Sequence, residues 1–170
     1  FPMIGALMLD IACTELTQED IELLQAPQVG GVILFTRNIK SLAQVRALTD
    51  HMRQVRPEIL IAVDQEGGRV QRLKTGFTLL PAMGHFGELY LTEPEKAIQL
   101  AEQCGWLMAI EVLAVGIDFS FAPVLDINDI SDVIGDRAFA KNVQDIVPLA
   151  QAFMTGMHRA GMATTGKHFP

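Results

Sequence analysis

The chain has 170 residues, of which 49% are hydrophobic and 19% charged, and its formal net charge is −7 at pH 7. That is enough apolar chain for one packed domain, and the acidic balance without a lysine or arginine cluster excludes a nucleic-acid partner. No run of 18 apolar residues is present, so no membrane-spanning helix is expected.

Phe1-Pro2 ahead of Met3 reads as a trimmed start and is set aside, and no basic stretch leads into an apolar run as in a signal peptide. Cys13 and Cys104 stand far apart and outside any C-x-x-C pair. They read as buried free thiols of a reducing compartment, with no structural zinc, so a cytoplasmic location is expected.

Strand and helix signals alternate. Met3 to Leu9 is a continuous apolar run, the pattern of a strand buried on both faces. Thr17-Gln-Glu-Asp20 opens a short helix containing Ile21, Leu23 and Leu24, and residues 30–35 form a second buried strand. Ser41 and Gln44 make a capping box before a helix with Leu42, Val45, Leu48, Met52 and Val55 on one face. Residues 60–64 are a third strand running into Asp64-Gln-Glu-Gly-Gly-Arg69.

Residues 70–91 are turn-rich and break the rhythm. Thr92-Glu-Pro-Glu95 predicts a second capping box, followed by a helix to about Ala114. A fourth strand is expected over 116–122, and a helix with Val143, Ile146, Ala150, Phe153 and Met157 on one face follows. Pro148 inside it requires a kink or a late start. Residues 162–168 read as a fifth strand. With no linker or repeat, residues 1–170 form part of one domain.

Repeated βα units imply an α/β fold with a parallel sheet. A doubly wound sheet and part of a (β/α)8 barrel both satisfy the pattern. Polar residues collect after nearly every strand: Asp10, Thr36-Arg-Asn38, Asp64-Gln-Glu66, Asp126 and Lys167-His168. A barrel spreads its site over many strand ends in this way, which favours the barrel.

Asp64-Gln-Glu-Gly-Gly-Arg-Val-Gln-Arg72 is the most informative segment. Acids and arginines at the end of a buried strand are costly unless paired with each other or with a ligand. A structural salt-bridge cluster and a ligand site are both open. No phosphate-loop pattern accompanies the segment. A magnesium site on Asp64 and Glu66 is disfavoured, with only one of the two acids expected to point into the site. Arg137, in Gly135-Asp-Arg-Ala-Phe139, is a candidate clamp for a sugar or carboxylate. Lys167 and His168 follow a glycine at a strand end, which is not a core position, while His51, His85 and His158 have no partners at metal-ligand spacing.

Four segments, Asp64 to Arg72, Phe121 to Asp126, Ile134 to Phe139 and Lys167 to Pro170, resemble glycoside hydrolase family 3 in order and approximate spacing. The short cytoplasmic bacterial β-N-acetylglucosaminidases of that family are the most similar, and the resemblance covers Met3 to Pro170. It implies a (β/α)8 TIM barrel of which the chain supplies the first five strands and four helices. It also implies a retaining exo-glycosidase that releases N-acetylglucosamine from peptidoglycan-derived muropeptides, N-acetylglucosaminyl-anhydromuramyl peptides, without metal or organic cofactor.

By that resemblance Asp64 accepts hydrogen bonds from sugar hydroxyls, while Arg72, Arg137, Lys167 and His168 surround the same ring. Such charged hydrogen bonds contribute roughly 1.5–3 kcal/mol each. The family's proton-donating histidine and nucleophilic aspartate are expected after Pro170, so the chain would hold no catalytic residue. A β-glucosidase of the same family and a non-catalytic sugar-binding half-barrel are the alternatives.

Overall fold

The computed structural model describes residues 5–129 and 131–169. The elements are β1 (Leu7–Leu9), α1 (Gln18–Gln25), β2 (Val29–Leu34), α2 (Leu42–Val55), β3 (Leu60–Val63), β4 (Gln65–Gly67), β5 (Val70–Gln71), α3 (Gly84–Tyr90), α4 (Pro94–Ala114), β6 (Phe119–Ser120) and α5 (Val143–Arg159).

β1, β2, β3 and β6 form one parallel sheet in chain order, with Leu34 opposite Val63 and Val63 opposite Ser120. Residues 165–167 extend this wall beyond β6. Thr165 N–H donates to the Ala122 carbonyl at 2.9 Å and Lys167 N–H to that of Pro123 at 3.1 Å, and Val124 and Lys167 form a parallel bridge. Because β1 lies at an edge of a sequentially ordered parallel sheet, the doubly wound arrangement, which buries its first strand centrally, does not apply.

The core lies between this sheet and the helices. Val32, Leu34, Ile61 and Val63 meet Met52, Met108, Val112 and Phe153, all essentially inaccessible to solvent. α4 and α5 pack closely through glycines: a Cβ added to Gly105 would lie 2.1 Å from the Phe153 carbonyl oxygen, and one on Gly156 would lie 1.9 Å from that of Glu102. Phe139 braces the same helix through an edge-to-face contact with Phe153, centroids 6.1 Å apart.

Several local expectations change. β1 is not buried on both faces: Leu7 is 53% exposed, because an edge strand has a neighbour on one side only. Met3 and Ile4 of the expected strand, and Pro170 of the last motif, fall outside the described residues. Thr92 does not cap α4; the helix starts at Pro94 with Glu93 at the cap position, and Thr92 Oγ1 donates back to the Leu89 carbonyl at 3.3 Å.

Ser41 does cap α2, but Gln44 reaches the backbone N–H of Lys40 at 2.8 Å rather than that of Ser41. α5 begins at Val143 under the Asn142 cap and carries Pro148 in its second turn. Cys13 is exposed. Cys104 is buried, and desolvation pushes its thiol up to about 12. The turn-rich stretch contains α3 and β5, which closes an antiparallel hairpin with β4; neither element has a periodic signal.

Candidate functional site

The chain leaves the main sheet at Asp64. Within the next four residues it turns through Gly67, φ +112°, and Gly68, φ +55°, backbone conformations that favour glycine. Gln65 fastens the hairpin from beneath. Its Oε1 accepts the N–H groups of Arg72 and Leu73, both at 3.0 Å, and Ser120 Oγ both accepts from Gln65 N–H and donates to its carbonyl at 2.9 Å.

Residues two apart on an extended chain project to the same side, and both acids reach the same lysine rather than only one entering the site. Lys167 Nζ lies 2.9 Å from Asp64 Oδ1 and 2.5 Å from Glu66 Oε1. Arg137 grips Glu66 at two points, Nε to Oε2 and Nη2 to Oε1, each 2.9 Å, and its Nη1 donates to the Val133 carbonyl at 3.2 Å. Hydrogen bonds donated to Glu66 hold the Arg137 guanidinium above its ordinary pKa despite partial burial, with Asp64 and Asp126 adding to the effect. Arg72 Nη2 stands 3.8 Å from Asp64 Oδ2, and the buried Arg72 Nε has no hydrogen-bond partner among the described residues.

Four of the five predicted residues, Asp64, Arg72, Arg137 and Lys167, therefore join Glu66 in one cluster of three cations around two carboxylates. His168 stands at its border and is joined to Asp126: the ring Nδ1 lies 2.7 Å from Oδ2, and the backbone N–H donates to the same oxygen at 3.1 Å. Burial alone would raise Asp126, but the two His168 hydrogen bonds outweigh it and hold the carboxyl below its ordinary value.

The Ala122–Pro123 and Lys167–His168 peptides are cis. Glu66 and Asp126 were not singled out as site members by sequence; both lie inside the motifs, and an acid beside two glycines in a buried turn is the one signal that points to Glu66. A cavity of about 450 Å³ lies elsewhere, between α3 and residues 136–145, and its lining includes none of the five predicted residues. No group of three metal-ligating side chains occurs among the described residues.

Comparison with known proteins matches residues 4–170 to the glycosyl hydrolase family 3 N-terminal domain. The chain belongs to this family. It is 57% identical to a β-hexosaminidase of Methylobacillus flagellatus over 98% of its own length and 48% of that protein's. NagZ from Neisseria gonorrhoeae, in its native crystal structure, superposes with a TM-score of 0.94 at 44% identity, covering 98% of this chain and 49% of that one. The same protein in complex with N-trifluoroacetyl-D-glucosamine gives a TM-score of 0.95 at 44% identity, covering 98% and 50%. The chain thus spans about half the length of the curated relatives it matches. Its α/β fold with a parallel sheet is that of the NagZ barrel over this span.

Proposed function

We propose that residues 1–170 are the sugar-binding part of a single (β/α)8 barrel in a retaining exo-β-N-acetylglucosaminidase. Its substrate is a muropeptide derived from peptidoglycan, and its ligand here is the terminal N-acetylglucosamine ring. The observation that carries this reading is the convergence of Asp64, Arg72, Arg137 and Lys167 from three separate segments, in a chain similar to a protein crystallised with an N-acylglucosamine derivative.

The chemistry suits a polyhydroxylated ring. Asp64 uses one lone pair on Lys167 and keeps acceptor capacity for hydroxyl donors. Three of the five Arg137 N–H donors are used on Glu66 and Val133, leaving one on each terminal nitrogen for ligand oxygens. Arg72 Nε is a buried donor with no acceptor among the described residues, and buried donors are rarely left so. Asp126 favours the proton on His168 Nδ1, which makes Nε2 of the neutral ring an acceptor.

Retaining hydrolysis needs a nucleophile and a proton donor on either side of the anomeric carbon. Asp64 and Glu66 are both tied to Lys167, which suits binding rather than attack. We assign the nucleophilic aspartate and the acid/base histidine to the further length that the relatives carry, and we place the protein in the cytoplasm, a reducing compartment that suits the unpaired thiols of Cys13 and Cys104.

The test is an assay of the whole protein with 4-nitrophenyl N-acetyl-β-glucosaminide and with an N-acetylglucosaminyl-anhydromuramyl peptide. Hydrolysis of both, with the β configuration retained by NMR, is expected. No turnover of either, or faster turnover of the corresponding β-glucoside, overturns the reading.

A further inference from the structure

Glu66 is only 3% exposed at its side chain, so it offers no surface to a ligand. A carboxylate buried to this extent is costly unless every oxygen is engaged, and here each is. Oε2 accepts Arg137 Nε, while Oε1 accepts Arg137 Nη2 and is ion-paired with Lys167 Nζ. Two of the predicted sugar-binding cations, on different segments of the chain, are thereby oriented by one acid that touches nothing else in the cluster. Without it, Arg137 and Lys167 would be like charges sharing a partly buried site with Asp64 and the more distant Asp126 to offset them.

Resting on the sugar-binding reading above, we infer that Glu66 is a positioning residue: it sets the free edge of the Arg137 guanidinium and holds Lys167 against Asp64 before the ligand arrives. The fork-to-fork geometry leaves the terminal nitrogens of Arg137 as the only donors it can turn to a ligand, so the direction of that edge is fixed by Glu66. Pre-set donors spare the ligand the cost of ordering them, and that gain is felt in binding.

The experiment uses the whole protein with Glu66→Gln, which keeps the volume and removes the charge. Its amide nitrogen would face another donor at Arg137 or Lys167. KM for 4-nitrophenyl N-acetyl-β-glucosaminide should rise about tenfold or more, with a smaller change in kcat; a loss of folded protein alone would lower the active fraction and leave KM unaltered. Glu66→Asp keeps the charge, but a carboxylate withdrawn by one methylene reaches one partner and not both, so KM should fall between the two.

In parallel, acetylation of Lys167 by acetic anhydride, followed by peptide mass, should be several-fold faster in Glu66→Gln than in the wild type. An unchanged KM in an active enzyme overturns the inference and leaves the sugar-binding reading intact. If the wild type hydrolyses nothing, that reading fails by itself, and an unchanged Lys167 acetylation rate then overturns the positioning role. Should Glu66→Gln not fold, Glu66→Asp decides by the same two measurements.

Discussion

His168 is fastened to Asp126 twice through a single oxygen, by its ring at 2.7 Å and by its backbone N–H at 3.1 Å. Both contacts favour the ionised carboxylate, and together they overcome the opposing effect of burial. A depressed native value means that, on acidification, the unfolded state takes up this proton first. Asp126 therefore contributes stability above the ordinary carboxylate pKa, and that contribution is lost as the pH falls toward the native value. A 13C titration should place the Asp126 carboxyl below its ordinary 3.8, and Asp126→Asn should flatten the acid limb of stability against pH. A midpoint at or above that value contradicts the hydrogen-bonded geometry.

Asp64→Ala in the whole enzyme removes the acceptor that the proposed ligand needs and leaves Lys167 with Glu66 as its one acidic partner. We expect kcat/KM to fall about 10²-fold or more, on the order of 3 kcal/mol. Steady-state kinetics within a few-fold of wild type would return Asp64 to a purely structural salt bridge.

The glycine contact between α4 and α5 makes a separate stability prediction. Gly105→Ala places a Cβ 2.1 Å from a backbone oxygen, so the two helices must move apart, at a cost of about 3 kcal/mol. Gly161→Ala, at φ +90° with nothing within 4 Å of the added carbon, strains only its own backbone, by about 1–2 kcal/mol. Urea titrations of both variants should preserve this order, and equal losses would mean that helix separation is not what limits Gly105.

Residues 1–170 prepared by themselves should show no turnover of 4-nitrophenyl N-acetyl-β-glucosaminide, because both carboxylates of the cluster are neutralised by Lys167 and Arg137. Turnover that disappears in His168→Ala would put the chemistry on the Asp126–His168 pair and displace the binding role given to it here.

Much of the fold was legible because packing and periodicity coincide. The α2 residues Val45, Leu48 and Met52 and the α5 residues Ile146, Ala150, Phe153 and Met157 are buried as their spacing predicts. The legible part ended where short-range geometry takes over. α3 has seven residues, too few for a period to declare itself, and β5 has two. Leu7 is exposed because burial of a strand depends on its neighbours, which apolar character alone does not disclose. The motifs supplied the cations of the cluster; that Glu66 joins two of them is a pairing across 71 positions, visible only once the chain is folded.

The cluster is assembled from remote pieces, and Asp64 meets Lys167 across 103 positions. Closing so long a loop brings a large entropic cost before either charge gains anything, so no hairpin or helix excised from this chain can carry the arrangement. A collapsed intermediate with native helices would still lack it. Recovery of sugar binding during refolding should thus trail the return of helical circular dichroism, which makes ligand capture a clock for the final step of assembly.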